Sequence, residues 1–302
     1  RKFLQVVNPS LAIFIKYEFW PNYLHGLKEQ NIPTILVSGI FRNNQIFFRP
    51  IGKFMRTSLK AFDHFFVQDG ISKNLLESID LENVTISGDT RFDRVYEILQ
   101  QDNSLDFITA FKNNHYTVVA GSTWKEDEEI IVNYINTSDS GNEKFIIAPH
   151  NINAKNIELL KKSIHKKVVL FSEKEGKNLS EYDVFIVDVI GLLTKIYASA
   201  NAAYVGGGLT KNGVHNVLEP ATFGVPIVIG SVYKKYKEVV DLVALNGCKV
   251  IVNQNEFSTI FTKLKSDKDY REKLGNINQN FIKDHIGATD TILKFINQKL
   301  NR

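Results

Sequence analysis

Several features that define other protein classes are scarce in this chain of 302 residues. The one cysteine, Cys248, excludes an intramolecular disulfide and fits a reducing compartment. It begins the apolar run CKVIV, so we expect a buried thiol rather than a nucleophile. No apolar run reaches about eighteen residues, the length that a membrane-spanning helix needs. The composition, with 43% hydrophobic and 23% charged residues, is typical of a globular protein.

Motifs for metals, nucleoside triphosphates and hydride transfer are also missing. His, Cys and acidic residues do not group at metal-ligand spacing, and neither a Walker-type phosphate loop nor a G-x-S-x-G elbow occurs. The stretch GGGLTKNG lacks the spacing of a dinucleotide fingerprint. The sequence therefore predicts neither a bound metal nor a cofactor.

Acidic residues are absent between Gln30 and Phe62, although the formal net charge of the whole chain is only +4. In this segment basic residues alternate with apolar ones; they are Arg42, Arg49, Lys53, Arg56 and Lys60. One interpretation is an amphipathic surface for an anionic membrane or an anionic acceptor. The other is a helix that packs on the core and exposes a basic face. Nucleic acid is not an expected partner, because no recognised module or large basic excess is present.

Short apolar runs alternate with helical patterns along the chain, which predicts parallel sheets covered by helices. A chain of this length is typical of two domains. The most linker-like run is QQDNS, so we predict a first domain over 1–105 and a second over 106–302. The sequence begins with Arg1 rather than Met, and we expect it to be a piece of a longer one.

The stretch Tyr204 to Gly230 combines a strand, three glycines, a predicted helix beginning near Val214 and another strand. Gly206, Gly207 and Gly208 would let the backbone approach a ligand, and the helix start would offer N–H groups to an anion. We expect His215, Asn216 and Glu219 to gather at that helix start, where the Glu219 carboxylate suits ribose hydroxyls. The alternative is a tight turn without a ligand.

Other predicted strands of the second domain also end in small or polar residues. Ser122 could hold a phosphate, or it could belong to a simple helix cap. Pro149 and His150 follow the next strand, and a histidine there could stack on a base, donate to a phosphate, or have no task. The segment DVIGLL places Ile190, Gly191 and Leu192 where their backbone could edge a pyrimidine, or where they could simply pack.

Two charged residues stand out in the first domain. Glu18 lies between a strand and a helix start marked by Pro21, beside Trp20, where it could be desolvated or could simply favour the helix dipole. Arg91 follows the last strand and could neutralise an anion, or could form a surface ion pair.

These motifs together resemble the Kdo (3-deoxy-D-manno-octulosonic acid) transferases of lipopolysaccharide synthesis. The family has a Glu followed by WPN, then GN-x-KFD, AGST before an acidic helix, a Pro-Arg strand end, D-T-x-G-E-L, and GGS before GGHN-x-LEP. Similar residues occur here in the same order over nearly the whole chain: Glu18 to Asn22, Gly88 to Asp93, Ala120 to Glu129, Pro149 and His150, Asp188 to Leu193, and Gly206 to Pro220.

The resemblance implies an α/β protein of the GT-B fold, with two Rossmann-like domains facing across a cleft and an incomplete amino-terminal domain. It implies an inverting, metal-independent transfer of Kdo from CMP-Kdo to a lipid A precursor at the cytoplasmic face of the bacterial inner membrane. Glu18 and Arg91 would stabilise the transition state, and Arg42, Arg49 and Arg56 would lie on the acceptor or membrane side. The donor would be held by Ser122, Pro149, His150, Ile190, Gly191, Leu192, Gly207, Gly208, His215, Asn216, Val217, Leu218 and Glu219.

This chain departs from the family pattern at several of these positions. Arg91 stands in place of Lys, His150 in place of Arg, and Leu192 in place of Glu. The family's general base is a Glu in an upstream segment, for which this sequence shows no counterpart. The alternatives are a nucleotide-binding GT-B module without catalysis and a GT-B transferase that uses a UDP-sugar.

Overall fold

The computed structural model describes residues 2–138 and 143–300, which form two compact α/β units. The first unit takes the chain up to Arg94 and resumes at His285, and the second is Val95–Asp284. The predicted division into 1–105 and 106–302 remains a hypothesis about domains. It differs from these units at residues 95–105 and after Asp284. None of the helices in the described ranges has the length and apolarity needed to cross a bilayer.

The first unit contains a parallel sheet of four strands that follow one another in chain order. The strands are β1 (Ala12–Ile15), β2 (Thr34–Gly39), β3 (His64–Val67) and β4 (Val84–Ile86). The helices in this part of the chain are α1 (Lys2–Val7), α2 (Pro21–Glu29), α3 (Lys53–Leu59), α4 (Gly70–Glu77) and α5 (Thr90–Glu97). Pro21 begins α2, where its missing N–H costs nothing, and the Asp69 carboxylate caps α4.

The second unit contains a parallel sheet of seven strands. They are β5 (Tyr116–Thr123), β6 (Glu143–Pro149), β7 (Val168–Leu170), β8 (Val184–Ile186), β9 (Ala202–Val205), β10 (Ile227–Gly230) and β11 (Cys248–Ile251). The helices are α6 (Asp106–Lys112), α7 (Lys125–Thr137), α8 (Ala154–Ser163), α9 (Leu193–Tyr197), α10 (Leu218–Thr222), α11 (Lys237–Ala244), α12 (Gln254–Ser266) and α13 (Lys268–Lys283). The predicted parallel strands are confirmed in both sheets. Most are runs of Val, Ile and Phe buried on both faces, which favour parallel strands, whereas Ile13 and Ile15 of β1 are exposed.

The order of the seven strands is β11-β10-β9-β5-β6-β8-β7. Strands β6, β7 and β8 follow β5 in the chain and lie on one side of it. The next strand, β9, pairs with β5 on its other side. The strand order therefore reverses between β5 and β9. In open α/β sheets such a switch point leaves a crevice at the carboxyl ends of the strands, where ligands bind.

The last helix, α14 (Ala288–Leu300), belongs to the first unit. The Asp93 carboxylate accepts hydrogen bonds from the backbone N–H and the hydroxyl of Thr289, both at 2.8 Å. Ile292 is buried on the same side of the sheet as Phe66, and the Phe295 ring packs against Phe66 and His64. The helix therefore completes the core of a sheet that the chain built much earlier.

Candidate functional site

The glycine turn after β9 lies beside the end of β5, at the switch point of the larger sheet. A Cβ on Gly206 would lie 2.4 Å from the Ser122 carbonyl oxygen, so only glycine fits against that strand end. Gly207 has a φ of +90°, and a Cβ on Gly208 would lie 2.7 Å from the Gly230 nitrogen. The close approach that we expected of a ligand is thus made by neighbouring backbone. Ser122 itself has a φ of +53° at a bulge in β5.

The predicted helix near Val214 is wrong, because α10 begins only at Leu218 and has five residues. The Val214 N–H donates to the Val232 carbonyl and the His215 N–H to the Gly206 carbonyl. The Asn216 side chain accepts from the Leu218 N–H at 3.1 Å. These N–H groups are therefore used within the protein and are not presented to an anion. Pro220 is the signal that we missed, since proline is tolerated only in the first turn of a helix.

Asp127, which was not predicted as a site residue, joins the start of α7 to the glycine turn. Its carboxylate is fully buried and accepts the Tyr204 hydroxyl at 2.6 Å, the Gly207 N–H at 2.8 Å and the Trp124 N–H at 2.9 Å. Burial raises the pKa of Asp127, while these three hydrogen bonds oppose the rise. The start of α7 thus links β5, β9 and the glycine turn.

Three aromatic rings meet at the same edge of the sheet. Trp124 donates its indole N–H to His215 Nε2 at 2.8 Å, and the angle between the planes of the two rings is 10°. The His150 ring stacks on both, with centroids 4.8 Å from Trp124 and 4.4 Å from His215. Burial, and then the neighbouring His150, lower the pKa of His215. Two of the predicted donor residues are therefore in direct contact, joined by a tryptophan that we did not predict.

Glu219 is held by protein groups on both carboxylate oxygens. Asn216 Nδ2 donates to one oxygen at 2.9 Å and the Thr194 hydroxyl to the other at 2.8 Å. Thr194 lies in α9, just after exposed Ile190 and Gly191 and half-buried Leu192. Its hydrogen bond thus links two segments that the sequence analysis singled out separately.

The remaining residues predicted to bind the donor differ in whether their side chains are accessible to a ligand. The Val217 and Leu218 side chains are buried in the core, which leaves only their backbone for contact with a ligand. Ile190 is 91% exposed, and Gly191 has a φ of +95°. Pro149 ends β6 and also lines a cavity of about 630 Å³ between α7 and α8. Glu128 lies in that cavity and accepts from the Thr123 hydroxyl; burial raises the pKa of Glu128.

The charged residues of the first unit lie at the carboxyl ends of its strands. Glu18 is exposed in the turn between β1 and α2. Arg91 in α5 pairs through Nε with the buried Asp89 carboxylate at 2.8 Å, and 39% of the Arg91 side chain is exposed. Lys16, with a φ of +58°, reaches the same carboxylate at 3.5 Å. Two cations thus share one buried anion, and Lys16 and Asp89 were not predicted.

The basic segment folds into short helical turns and α3 rather than one long amphipathic helix. Arg42 and Arg49 are exposed, whereas Arg56 is half-buried and donates to the carbonyls of Phe47 and Arg49. Phe41, Phe47 and Leu59 enter the core, while Ile46, Ile51 and Phe54 are exposed. Part of the segment thus packs on the core, and another part exposes apolar side chains together with arginines.

Comparison with known proteins agrees with the resemblance. Residues 1–94 match the family model described as 3-deoxy-D-manno-octulosonic-acid transferase (kdotransferase). A 3-deoxy-D-manno-octulosonic acid transferase of Haemophilus influenzae is 27% identical over 100% of this chain and 72% of its own length. The chain is therefore similar to the Kdo transferases. It covers 72%, 63% and 46% of the lengths of three curated relatives, so it spans only part of such proteins.

Solved structures show the fold of this chain. The C-terminal CMP-Kdo binding domain of WaaA from Acinetobacter baumannii matches 63% of this chain and 97% of its own, with a TM-score of 0.51 and 20% identity. A putative UDP-N-acetylglucosamine 2-epimerase from Listeria monocytogenes matches 99% of this chain and 75% of its own, with a TM-score of 0.63 and 12% identity. At such identities the likeness concerns the fold, and the predicted GT-B fold class is confirmed.

Proposed function

We propose that this chain is a glycosyltransferase that moves Kdo from CMP-Kdo to a lipid A precursor in lipopolysaccharide synthesis. The relationship to Kdo transferases supports the donor and the acceptor class. The observation that carries the proposal is the gathering of His150, His215, Asn216 and Glu219 around the switch point of the seven-stranded sheet. Ligands of open α/β sheets bind at such a point.

The donor nucleotide would lie against the carboxyl ends of β5, β6, β8 and β9. Glu219 is oriented by Asn216 and Thr194, and a carboxylate oxygen can accept further hydrogen bonds from ribose hydroxyls. His150 and His215 offer ring nitrogens to the phosphate, with Ser122, Gly207 and Gly208 beside them. The exposed turn of Ile190, Gly191 and Leu192 would contact the base, and Pro149 would line the same site.

In the proposed reaction a hydroxyl oxygen of the acceptor bonds to the anomeric carbon of Kdo as the bond from that carbon to the CMP phosphate breaks. Attack on the face opposite the leaving group inverts the configuration. CMP leaves with the bonding electrons, and a base takes the hydroxyl proton. We propose that Arg91 stabilises the negative charge that develops and that Glu18 stabilises the transition state, without a metal. We assign no residue of this chain to the base.

The acceptor is a lipid, so we propose contact with an anionic membrane at the cytoplasmic face of the inner membrane. Arg42 and Arg49 are exposed, and in the same segment the apolar side chains of Ile51 and Phe54 are 81% and 65% exposed. Basic and apolar groups side by side suit the interface of an anionic bilayer. In a vesicle sedimentation assay, we expect Ile51→Asp with Phe54→Asp to reduce binding to anionic vesicles. Unchanged binding would contradict this surface.

The function is tested by transfer and by nucleotide preference. We expect the full-length protein, with the upstream segment that supplies the base, to convert a lipid A precursor and CMP-Kdo into a product heavier by one or more Kdo units, measured by mass spectrometry. We also expect calorimetric titration to give tighter binding for CMP than for UDP. Tighter binding of UDP would favour a UDP-sugar enzyme, and CMP binding without product from both substrates would favour a binding module.

A further inference from the structure

The hydrogen bond between Trp124 and His215 defines the protonation of the histidine. An indole N–H can only donate, so the nitrogen that it meets at 2.8 Å must accept. His215 Nε2 therefore carries no proton, and the neutral ring holds its proton on Nδ1. Protonating Nε2 would set two N–H groups against each other.

Both partners of this hydrogen bond are connected to the Asp127 carboxylate, Trp124 directly and His215 through the glycine turn. The Trp124 backbone N–H donates to Asp127 Oδ2, and so does the Gly207 N–H. The His215 backbone N–H donates to the Gly206 carbonyl, next to Gly207. The indole and the imidazole are therefore fixed through their main chains as well as through their rings, which favours a single orientation of His215.

Burial and the stacked His150 ring also favour the neutral form of His215. The His150 ring lies 4.4 Å from the His215 ring, centroid to centroid, and adds to the lowering of its pKa. The carboxylates of Asp127 and Glu219 act in the opposite sense, but each is already engaged by other donors: Asp127 by three and Glu219 by Asn216 and Thr194. Burial lowers the pKa of His215 further. Within the described chain, His215 Nδ1 has no hydrogen-bond partner and the side chain is only half-buried.

We propose that Trp124 is a positioning residue of the donor site, which holds His215 neutral so that its Nδ1–H donates to the phosphate of the nucleotide. This inference rests on the proposed function, because the phosphate is that of the proposed donor. A neutral N–H orients the phosphate through one directional hydrogen bond and adds no charge next to His150. Trp124 acts through His215 and need not touch the nucleotide.

The protonation state can be measured in the free protein, without any ligand. Two-bond ¹H–¹⁵N correlation spectra of the imidazole rings distinguish the two neutral forms. At pH 7 we expect an unprotonated Nε2 and a protonated Nδ1 for His215, and loss of this signature in Trp124→Phe. A protonated Nε2 in the wild type, or an unchanged signature in the variant, would overturn the inference.

The effect on the ligand is measured by titration with CMP. Trp124→Phe keeps an aromatic ring for His150 but removes the N–H, and we expect affinity to fall about fivefold, the worth of roughly one hydrogen bond. Trp20→Phe, at the other tryptophan of the chain, is the matched control and should bind CMP like the wild type. Equal affinities of wild type and Trp124→Phe would overturn the inference.

The two levels of the proposal fail in distinguishable ways. If the wild type shows the expected His215 signature but binds no CMP, the donor site itself is contradicted and Trp124 is a structural residue. If CMP binds and the signature is absent, the donor site stands and the role of Trp124 is contradicted.

Discussion

The two sheets of this protein differ in how they hold the residues at their carboxyl edges. The four strands of the first unit follow chain order, whereas the seven strands of the second reverse between β5 and β9. At that reversal Asp127, Trp124 and the glycine turn are joined by buried hydrogen bonds. In the first unit the comparable edge carries exposed Glu18 and two cations that share Asp89. The larger sheet thus has a rigid edge suited to binding, and the smaller one an accessible charged edge.

The largest effect is expected from removing the buried centre of the rigid edge. Asp127→Ala leaves three buried donors without an acceptor, so we expect a loss of about 3 kcal/mol or more in the free energy of unfolding. Denaturant unfolding followed by circular dichroism measures this loss. Glu126→Ala, at the exposed neighbouring position, is the control and should change stability by about 0.5 kcal/mol or less. Equal losses of unfolding free energy in Asp127→Ala and Glu126→Ala would contradict the proposal that buried hydrogen bonds of Asp127 make this sheet edge rigid.

At the charged edge of the first unit, we expect a substitution to change the rate of transfer and to leave the stability unchanged. We expect Glu18→Gln to slow Kdo transfer about 100-fold while the unfolding free energy and CMP affinity stay unchanged, because the side chain is exposed. Initial rates of product formation measure the effect. Glu82→Gln, another exposed substitution of the first unit, should keep the wild-type rate. A stability loss in Glu18→Gln would mean that this edge is structural as well.

A third test asks whether the oriented carboxylate of the second unit binds the donor. Glu219→Ala removes the acceptor that Asn216 and Thr194 hold in place, and we expect CMP affinity to fall about 10- to 100-fold. Calorimetric titration measures the change. Glu272→Ala, in an exposed ion pair with Lys268, is the control and should leave affinity unaltered. Unaltered affinity in Glu219→Ala would contradict the ribose assignment.

The smallest effect concerns acid sensitivity, which the two units should share. Burial lowers the pKa values of His215 and His64 below their ordinary 6.5, with His150 and Lys299 adding to the effect. Below that pH the unfolded chain binds protons that the folded histidines resist, so stability falls as the pH drops. Replacing either histidine with Gln should reduce the fall between pH 7.5 and 5.5 by about 1 kcal/mol or less. A fall as steep as in the wild type would contradict the assigned cause.

Local patterns were enough to predict the strands, because apolar runs between turn residues specify buried parallel strands without reference to the rest of the chain. They were not enough for α10, where His215, Asn216 and Glu219 suggested a helix three or four residues too early. There the Asn216 side chain bonds the Leu218 N–H, and this local competition delays the helix. Pro220 indicated the correct helix start, because proline is tolerated only in the first turn of a helix.

The site was predictable where a residue type implies its own chemistry, and less so where its partners are distant in sequence. Glu219, His150 and Arg91 were singled out as charged or ring side chains near strand ends or a helix start, and their roles stay predictions. Trp124 and Asp127 were not found, because their partners His215 and Tyr204 lie 91 and 77 residues away. Lys16 was missed for the same reason, since Asp89 belongs to another strand end. Which side chains meet at an edge depends on strand order, and no local pattern encodes that order.

The packing of α14 in the first unit also bears on how the chain acquires its structure during synthesis. The Gly287 N–H donates to Asp93, 194 positions earlier, and Ile292 is buried on the same side of the first sheet as Phe66. The second unit is one uninterrupted stretch and can fold before α14 has left the ribosome. The first unit must wait for α14. A sheet whose four strands are translated before the second unit is therefore completed after it.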